Sequence, residues 1–169
     1  MRILSIDPSL SSCGYAIIDS FNRSIVKINR ITTSQKDGDE NQRIYIITKE
    51  IENIIKNDNE IQEITLEDGF VKFAGSSLKL GKLRGALIFN AQNIGIKVYS
   101  QEPTETRKNL GLKGNAKKED VAAKILELYP NLLEDIGEYS DKPGKNKTSD
   151  MYDAVCIGIA HLNKTSNVS

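Results

Sequence analysis

The chain has 169 residues and a mass of 18.8 kDa, the extent of one ordinary core, so residues 1–169 are expected to form one domain. Hydrophobic residues at 38%, charged residues at 27% and only 4 prolines exclude a disordered or fibrous chain. The 23 basic and 23 acidic residues cancel, but not locally: residues 1–71 carry a net −4, residues 72–124 a net +7 and residues 125–169 a net −3. A basic block between acidic ends suits a polyanion held beside carboxylates that bind cations, although a solvated Lys-rich helix face gives the same count. No apolar run approaches the ~18 residues of a bilayer span. Met1-Arg2 leads directly into strand-like residues, so neither a signal peptide nor a membrane segment is expected. Cys13 and Cys156 lie far apart, which favours reduced thiols in a cytoplasmic setting.

In chain order, Ile3-Leu4-Ser5-Ile6 is a buried strand that ends on a carboxylate at Asp7-Pro8, where proline stops the ladder. Residues 14–19 and 24–33 alternate apolar and polar positions and continue as an antiparallel meander. Ile44, Ile47, Ile51, Ile54 and Ile55 recur at helical spacing, predicting a helix over about 39–57 with Asp39 and Glu40 at its N-terminus. Residues 61–66 form another strand, again closed by a carboxylate, Glu67. A helix follows over 74–93, then a short strand at 96–99. Residues 104–115 read as a short helix and a glycine turn, and 117–129 as a helix closed by Pro130. Residues 137–149 are too rich in Gly, Pro, Ser and Lys for regular structure, and Thr148 or Ser149 is placed to cap a last helix over 150–163.

These elements describe an α/β domain with a mixed five-stranded sheet flanked by helices. The first and fourth strands, joined through a helix, are expected to be parallel neighbours, which sets Asp7 beside Glu67 at the carboxyl edge where α/β proteins bind ligands. Asp150 and Asp153 project from one face of the last helix, whose other face (Ala154, Val155, Ile157, Gly158, Ala160) is small and apolar and should lie on the sheet. Four carboxylates from three elements repel one another unless cations bind among them. Oxygen ligands without His or Cys select Mg²⁺ or Mn²⁺ over zinc, and two such ions suit in-line phosphodiester cleavage.

Ile6-Asp7-Pro8-Ser9, Gly14-Tyr15-Ala16-Ile17-Ile18, Leu66-Glu67-Asp68-Gly69-Phe70, residues Leu78 to Ala86 and Ser149-Asp150-Met151-Tyr152-Asp153-Ala154 resemble, in order and spacing, the RuvC family of Holliday-junction resolvases. The resemblance runs from residue 3 to about 162. It implies an RNase H-like fold, a homodimer, two Mg²⁺ or Mn²⁺ ions per active site and symmetric nicking of four-way DNA junctions. It assigns Asp7, Glu67, Asp150 and Asp153 as metal-binding catalytic residues and places Lys118 near the scissile phosphate. Arg107 falls where relatives carry another basic residue, and its different donor geometry favours a phosphate contact over catalysis. Phe70 matches an aromatic near the junction centre, able to stack on an unpaired base or to sit in the core; Phe73 could share that role. With the basic block, the expected DNA-contacting set is Phe70, Phe73, Lys79, Lys82, Arg84, Arg107, Lys108, Lys113, Lys117 and Lys118. Relatives work with a branch-migration motor and are more basic than this neutral chain, so a motor partner and strict junction specificity do not carry over automatically. Other branched DNA or RNA, or a role outside resolution, remain alternative readings.

Gly81 and Gly85 share one face of the 74–93 helix near Ser77, forming a groove for a partner's helix or, alternatively, for the protein's own sheet. His161, two turns beyond Asp153, reads as a surface or core-edge residue, and Cys13 and Cys156 as small buried hydrophobes. Asp68 points away from Glu67 and is left out of the metal set. A two-lobed kinase-like ATPase, which also starts with strand-Asp and a glycine turn, needs roughly twice this length.

Overall fold

The computed structural model describes residues 1–68, 74–144 and 147–166. The expected strands form one five-stranded sheet: β1 (Arg2–Asp7), β2 (Ser12–Asp19), β3 (Ile25–Thr32), β4 (Ile61–Glu67) and β5 (Lys97–Gln101), in the order β3-β2-β1-β4-β5. β1–β2 and β2–β3 pair antiparallel, whereas β1–β4 and β4–β5 pair parallel. Among the described residues the α-helices are α1 (Glu40–Lys56), α2 (Ala74–Asn93), α3 (Pro103–Asn109), α4 (Lys118–Leu128), α5 (Leu132–Ile136) and α6 (Ser149–Ser166). No helix among the described residues is long and apolar enough to cross a membrane.

Because side chains alternate along a strand, the parity of each position decides which layer it enters. Leu4, Ile6, Tyr15, Ile17, Ile64 and Leu66 turn to the layer of α1 and α2, where they meet Ile47, Ile51, Leu83 and Leu87. Ile3, Ala16 and Ile18 turn to the opposite layer, against Val121, Ile125, Tyr152, Val155 and Ile159 of α4 and α6. Asp7 has the parity of Ile3, and Glu67 is one residue beyond Leu66, so both belong to the α6 side.

The helix α6 is the pin of that layer, buried over most of its length from Ser149 to Leu162. Gly158 lets it sit directly on the sheet: a Cβ there would fall 2.5 Å from Ile18 Cδ1 and 2.8 Å from Ser5 Oγ. Ser5 is itself buried and satisfied by donating to the Ala16 carbonyl at 3.2 Å, so the polar residue in β1 costs little.

Three local details differ from expectation. Asp39 caps α1 through a reciprocal box with Gln42, as the acidic start implied, but the hydroxyl of Thr148 does not cap α6. It donates to the Glu138 carbonyl at 2.7 Å and accepts the Ser140 amide at 2.8 Å, closing the preceding loop instead. The short helix α5 was not anticipated after Pro130; burial of Leu132 holds one turn that propensity alone would not. The edge strand β5 runs to Gln101, because the buried Gln101 amide donates to Thr65 Oγ1 and the Ile157 carbonyl.

Candidate active site

Asp7 and Glu67 terminate neighbouring parallel strands, one residue past the paired Ile6 and Leu66. On the other side of Asp7 its ladder partner is Gly14. A Cβ on Gly14 would lie 2.0 Å from the Asp150 carbonyl oxygen and 3.0 Å from Asp150 Cβ. The bare glycine therefore seats the first turn of α6 against β2 and brings Asp150 to Asp7. Asp153 follows one turn later. The four expected carboxylates thus converge from β1, β4 and α6.

Burial pushes the Asp7 carboxyl well above the usual carboxylate range, and the charges of Asp153 and Glu67 push it further, with Lys118 opposing. Glu67 is raised by burial and by Asp153, against Lys118, Arg107 and Arg84. Asp153 is raised by burial in spite of Lys118. Asp150 is 3% exposed, and its Oδ2 has no hydrogen-bond partner among the described residues. Such a group of mutually repelling, partly desolvated carboxylates is relieved by a bound cation.

Two lysines supply positive charge at the site. Lys118, the first residue of α4, donates from Nζ to Asp153 Oδ2 at 2.5 Å, and burial of its stem is outweighed by that carboxylate, which holds its pKa above the ordinary lysine value. Lys147 donates to Asp150 Oδ1 at 2.5 Å. Among the described residues no three His, Cys, Asp or Glu side chains stand as one closed metal-ligating group. The donor set nevertheless fits a hard divalent cation: every carboxylate oxygen is the right atom type, and the orphaned Asp150 oxygen asks for a positive partner. Burial, and then the charge of Asp153, push the Cys156 thiol up.

The expected DNA contacts divide into groups. Arg107 carries its charge toward Glu67, with Nη1 3.5 Å from the Gly114 carbonyl and Nε buried without a partner. Lys108, Lys113 and Lys117 are exposed on α3 and its connection to α4. Arg84 is bound to Asp68 at 2.5 Å, while Lys79 and Lys82 both reach Glu40 of α1, at 3.7 and 2.8 Å. Three residues read as DNA contacts from charge alone therefore already have acidic neighbours. Phe70 and Phe73 lie outside the described residues. His161 is buried rather than superficial: its ring lies 4.7 Å from that of Tyr99, and Nε2 is 3.2 Å from Glu63 Oε2, on the α6 side of the sheet.

Gly14, which enters the sequence reading only within a motif, and Arg30 and Lys147 are given no role at the site from sequence. Glycine inside a strand pattern is a signal of close backbone approach and could have marked the first. Lys147, three residues before Asp150, had the spacing of a local ion pair.

A mixed sheet of this order, with one carboxylate ending each of two neighbouring parallel strands and a second pair entering from the closing helix, defines an RNase H-like nuclease domain. The family model described as Crossover junction endodeoxyribonuclease RuvC matches residues 3–161, and the chain belongs to that family. It is 28% identical over 169 residues to the Crossover junction endodeoxyribonuclease RuvC of Caldanaerobacter subterraneus subsp. tengcongensis, covering 98% of this chain and 94% of the relative. Its fold is similar to the Thermus thermophilus RuvC structure, with a TM-score of 0.78 at 19% identity over 99% of this chain and 97% of the other. The same enzyme in complex with Holliday junction substrate superposes with a TM-score of 0.77 at 18% identity, over 99% and 96% of the two chains.

Proposed function

We propose that this chain resolves four-way DNA junctions by nicking phosphodiester bonds, with Asp7, Glu67, Asp150 and Asp153 holding two Mg²⁺ or Mn²⁺ ions. The observation that carries the reading is the convergence of these four carboxylates: burial and neighbouring acidic charge raise Asp7, Glu67 and Asp153, and buried Asp150 has an oxygen with no hydrogen-bond partner among the described residues. When bound, the ions supply water activation and charge stabilisation at the leaving oxygen. The protein's own part is positional. Strand ends fix Asp7 and Glu67, and the glycine seat fixes the backbone of Asp150. Lys118 stands where one ammonium neutralises Asp153 and can contact a phosphate oxygen. Arg107, Lys108, Lys113 and Lys117 line the adjoining α3–α4 segment and hold the DNA backbone without reading sequence.

Paired nicks across a junction require two sites related by a twofold axis. The α2 helix offers the surface for such a dimer. Among the described residues nothing lies within 4 Å of a Cβ added at Gly81 or Gly85, so their groove is not filled by the protein's own sheet. Leu78 and Phe89, 62% and 73% exposed, continue the same stripe. The test is a parallel incubation with Mg²⁺ of labelled four-way junction, linear duplex, flap and RNA:DNA hybrid. Preferential nicking of the junction supports the reading. Equal cutting of all branched substrates reduces it to a relaxed branched-DNA nuclease, and hybrid-only cutting replaces it with an RNA-directed one.

A further inference from the structure

Beside Asp150, a cleft of about 730 Å³ opens between the β2–β3 hairpin and the end of the 137–148 loop, lined by Ser11, Ser12, Arg30, Thr32 and Lys147 among others. Its character is that of a phosphate site: hydroxyl donors backed by two cations, with one acidic residue, Asp141, at its rim. Ser12 is only 6% exposed, and its Oγ has no hydrogen-bond partner among the described residues. Arg30 reaches across from β3, donating to the Lys147 carbonyl and to the Gly144 carbonyl at 3.2 Å. This brace fixes the loop's end, and Lys147 Nζ then lies 2.5 Å from Asp150 Oδ1.

A lysine in that position competes with a cation for the same carboxylate. Both cannot neutralise Asp150 at once without excess positive charge, unless an anion arrives for the lysine. We propose that the cleft is a subsite for the DNA backbone flanking the cut, and that Lys147 moves from Asp150 to a phosphate there as the metal site fills. Lys147 is thereby a second phosphate-handling lysine, paired with Asp150 as Lys118 is with Asp153, and Arg30 is its positioning residue. The proposal rests on the nuclease reading above. It adds a coupling: DNA in the cleft draws off the internal competitor and so favours metal loading, and the effect is reciprocal.

The test separates two properties that an ordinary structural lysine would move together. In Lys147→Ala the DNA-free protein should bind Mn²⁺ at least about threefold more tightly by calorimetry, because the competitor is gone, and Mn²⁺ should raise its melting temperature more than it raises that of the wild type. Single-turnover nicking of a four-way junction at saturating Mn²⁺ should fall about tenfold or more, with partial recovery in Lys147→Arg. Arg30→Ala should move both properties in the same directions by less. Unchanged or weaker Mn²⁺ binding in Lys147→Ala overturns the competition, and undiminished nicking overturns the phosphate contact. If the wild type nicks no branched DNA, the nuclease reading fails by itself, and the Mn²⁺ titration still decides whether Lys147 competes for Asp150.

Discussion

Replacing Gly14 by alanine puts a carbon atom 2.0 Å from the Asp150 carbonyl oxygen and 2.4 Å from its carbonyl carbon. Both are backbone atoms of the first turn of α6, so no side chain can swing aside. Restoring ordinary contact at 3.4 Å requires the two segments to part by about 1.4 Å in an otherwise close-packed layer. Overpacking of this kind costs about 1–3 kcal/mol, or a fall of roughly 2–12 °C in Tm for a chain of this size. The larger effect is on chemistry. Asp150 and Asp153 move together away from Asp7 and Glu67, and a displacement of ~1 Å can cost about 100-fold in rate. The assay is single-turnover junction nicking with a circular dichroism melt on the same samples. Gly75→Ala, in α2 and with nothing within 4 Å among the described residues, serves as the control and should leave nicking unchanged and Tm unchanged or slightly raised. Nicking by Gly14→Ala within about threefold of wild type, with a Tm lowered by less than ~2 °C, would show that the glycine seat does not position the acidic pair.

Asp7→Asn, Glu67→Gln, Asp150→Asn and Asp153→Asn should each abolish nicking while junction binding in gel shift stays near wild type, since each removes a ligand charge but also lessens repulsion of phosphate; near-normal nicking by any two contradicts the assignment. Without metal, Asp7→Asn should melt higher than wild type at about pH 7. Folding favours protonated Asp7, a contribution fully present below the ordinary carboxylate pKa and lost as pH rises through the raised folded value, so acidification toward about pH 5 should narrow the gap. A gap that widens in acid reverses the argued sign. Lys118→Ala should slow turnover by about 10- to 100-fold with a smaller effect on affinity, read from single-turnover rates and titrations. Gly81→Leu should convert a dimer to a folded monomer in light scattering, because the space beside Gly81 is open within one chain; an unchanged dimer refutes the α2 contact.

Much of the fold was legible because its signals are local and periodic. The isoleucines of α1, the alternation in β2 and β3 and the breaker-rich 137–149 stretch each report their own conformation. Asp7 and Glu67 were legible as a pair because a helix-containing connection forces parallel neighbours, and the observed Ile6–Leu66 register agrees. What escaped depends on contacts distant in sequence. The seat of Asp150 on Gly14 spans more than 130 residues, and only the docked helix reveals it. Arg30 looked like one more polar residue of an edge strand until the loop end was seen to rest on its guanidinium. Of the surface and core-edge readings of His161 the structure favours the second, and a helix position two turns from the site says nothing of the Tyr99 and Glu63 that cover it. Segment charge likewise identified a basic block but not that Glu40 and Asp68 already neighbour three of its members.

The central claim is that one carboxylate cluster, in two copies, cuts a junction symmetrically with divalent metal. Mapping nick positions on all four end-labelled strands of a fixed junction, with Mg²⁺ and with chelator, tests it most directly. The account predicts nicks on two opposing strands at symmetric positions, absent with chelator and absent in Asp150→Asn. Metal-independent nicks, nicks confined to one strand, or full cutting by Asp150→Asn would contradict it.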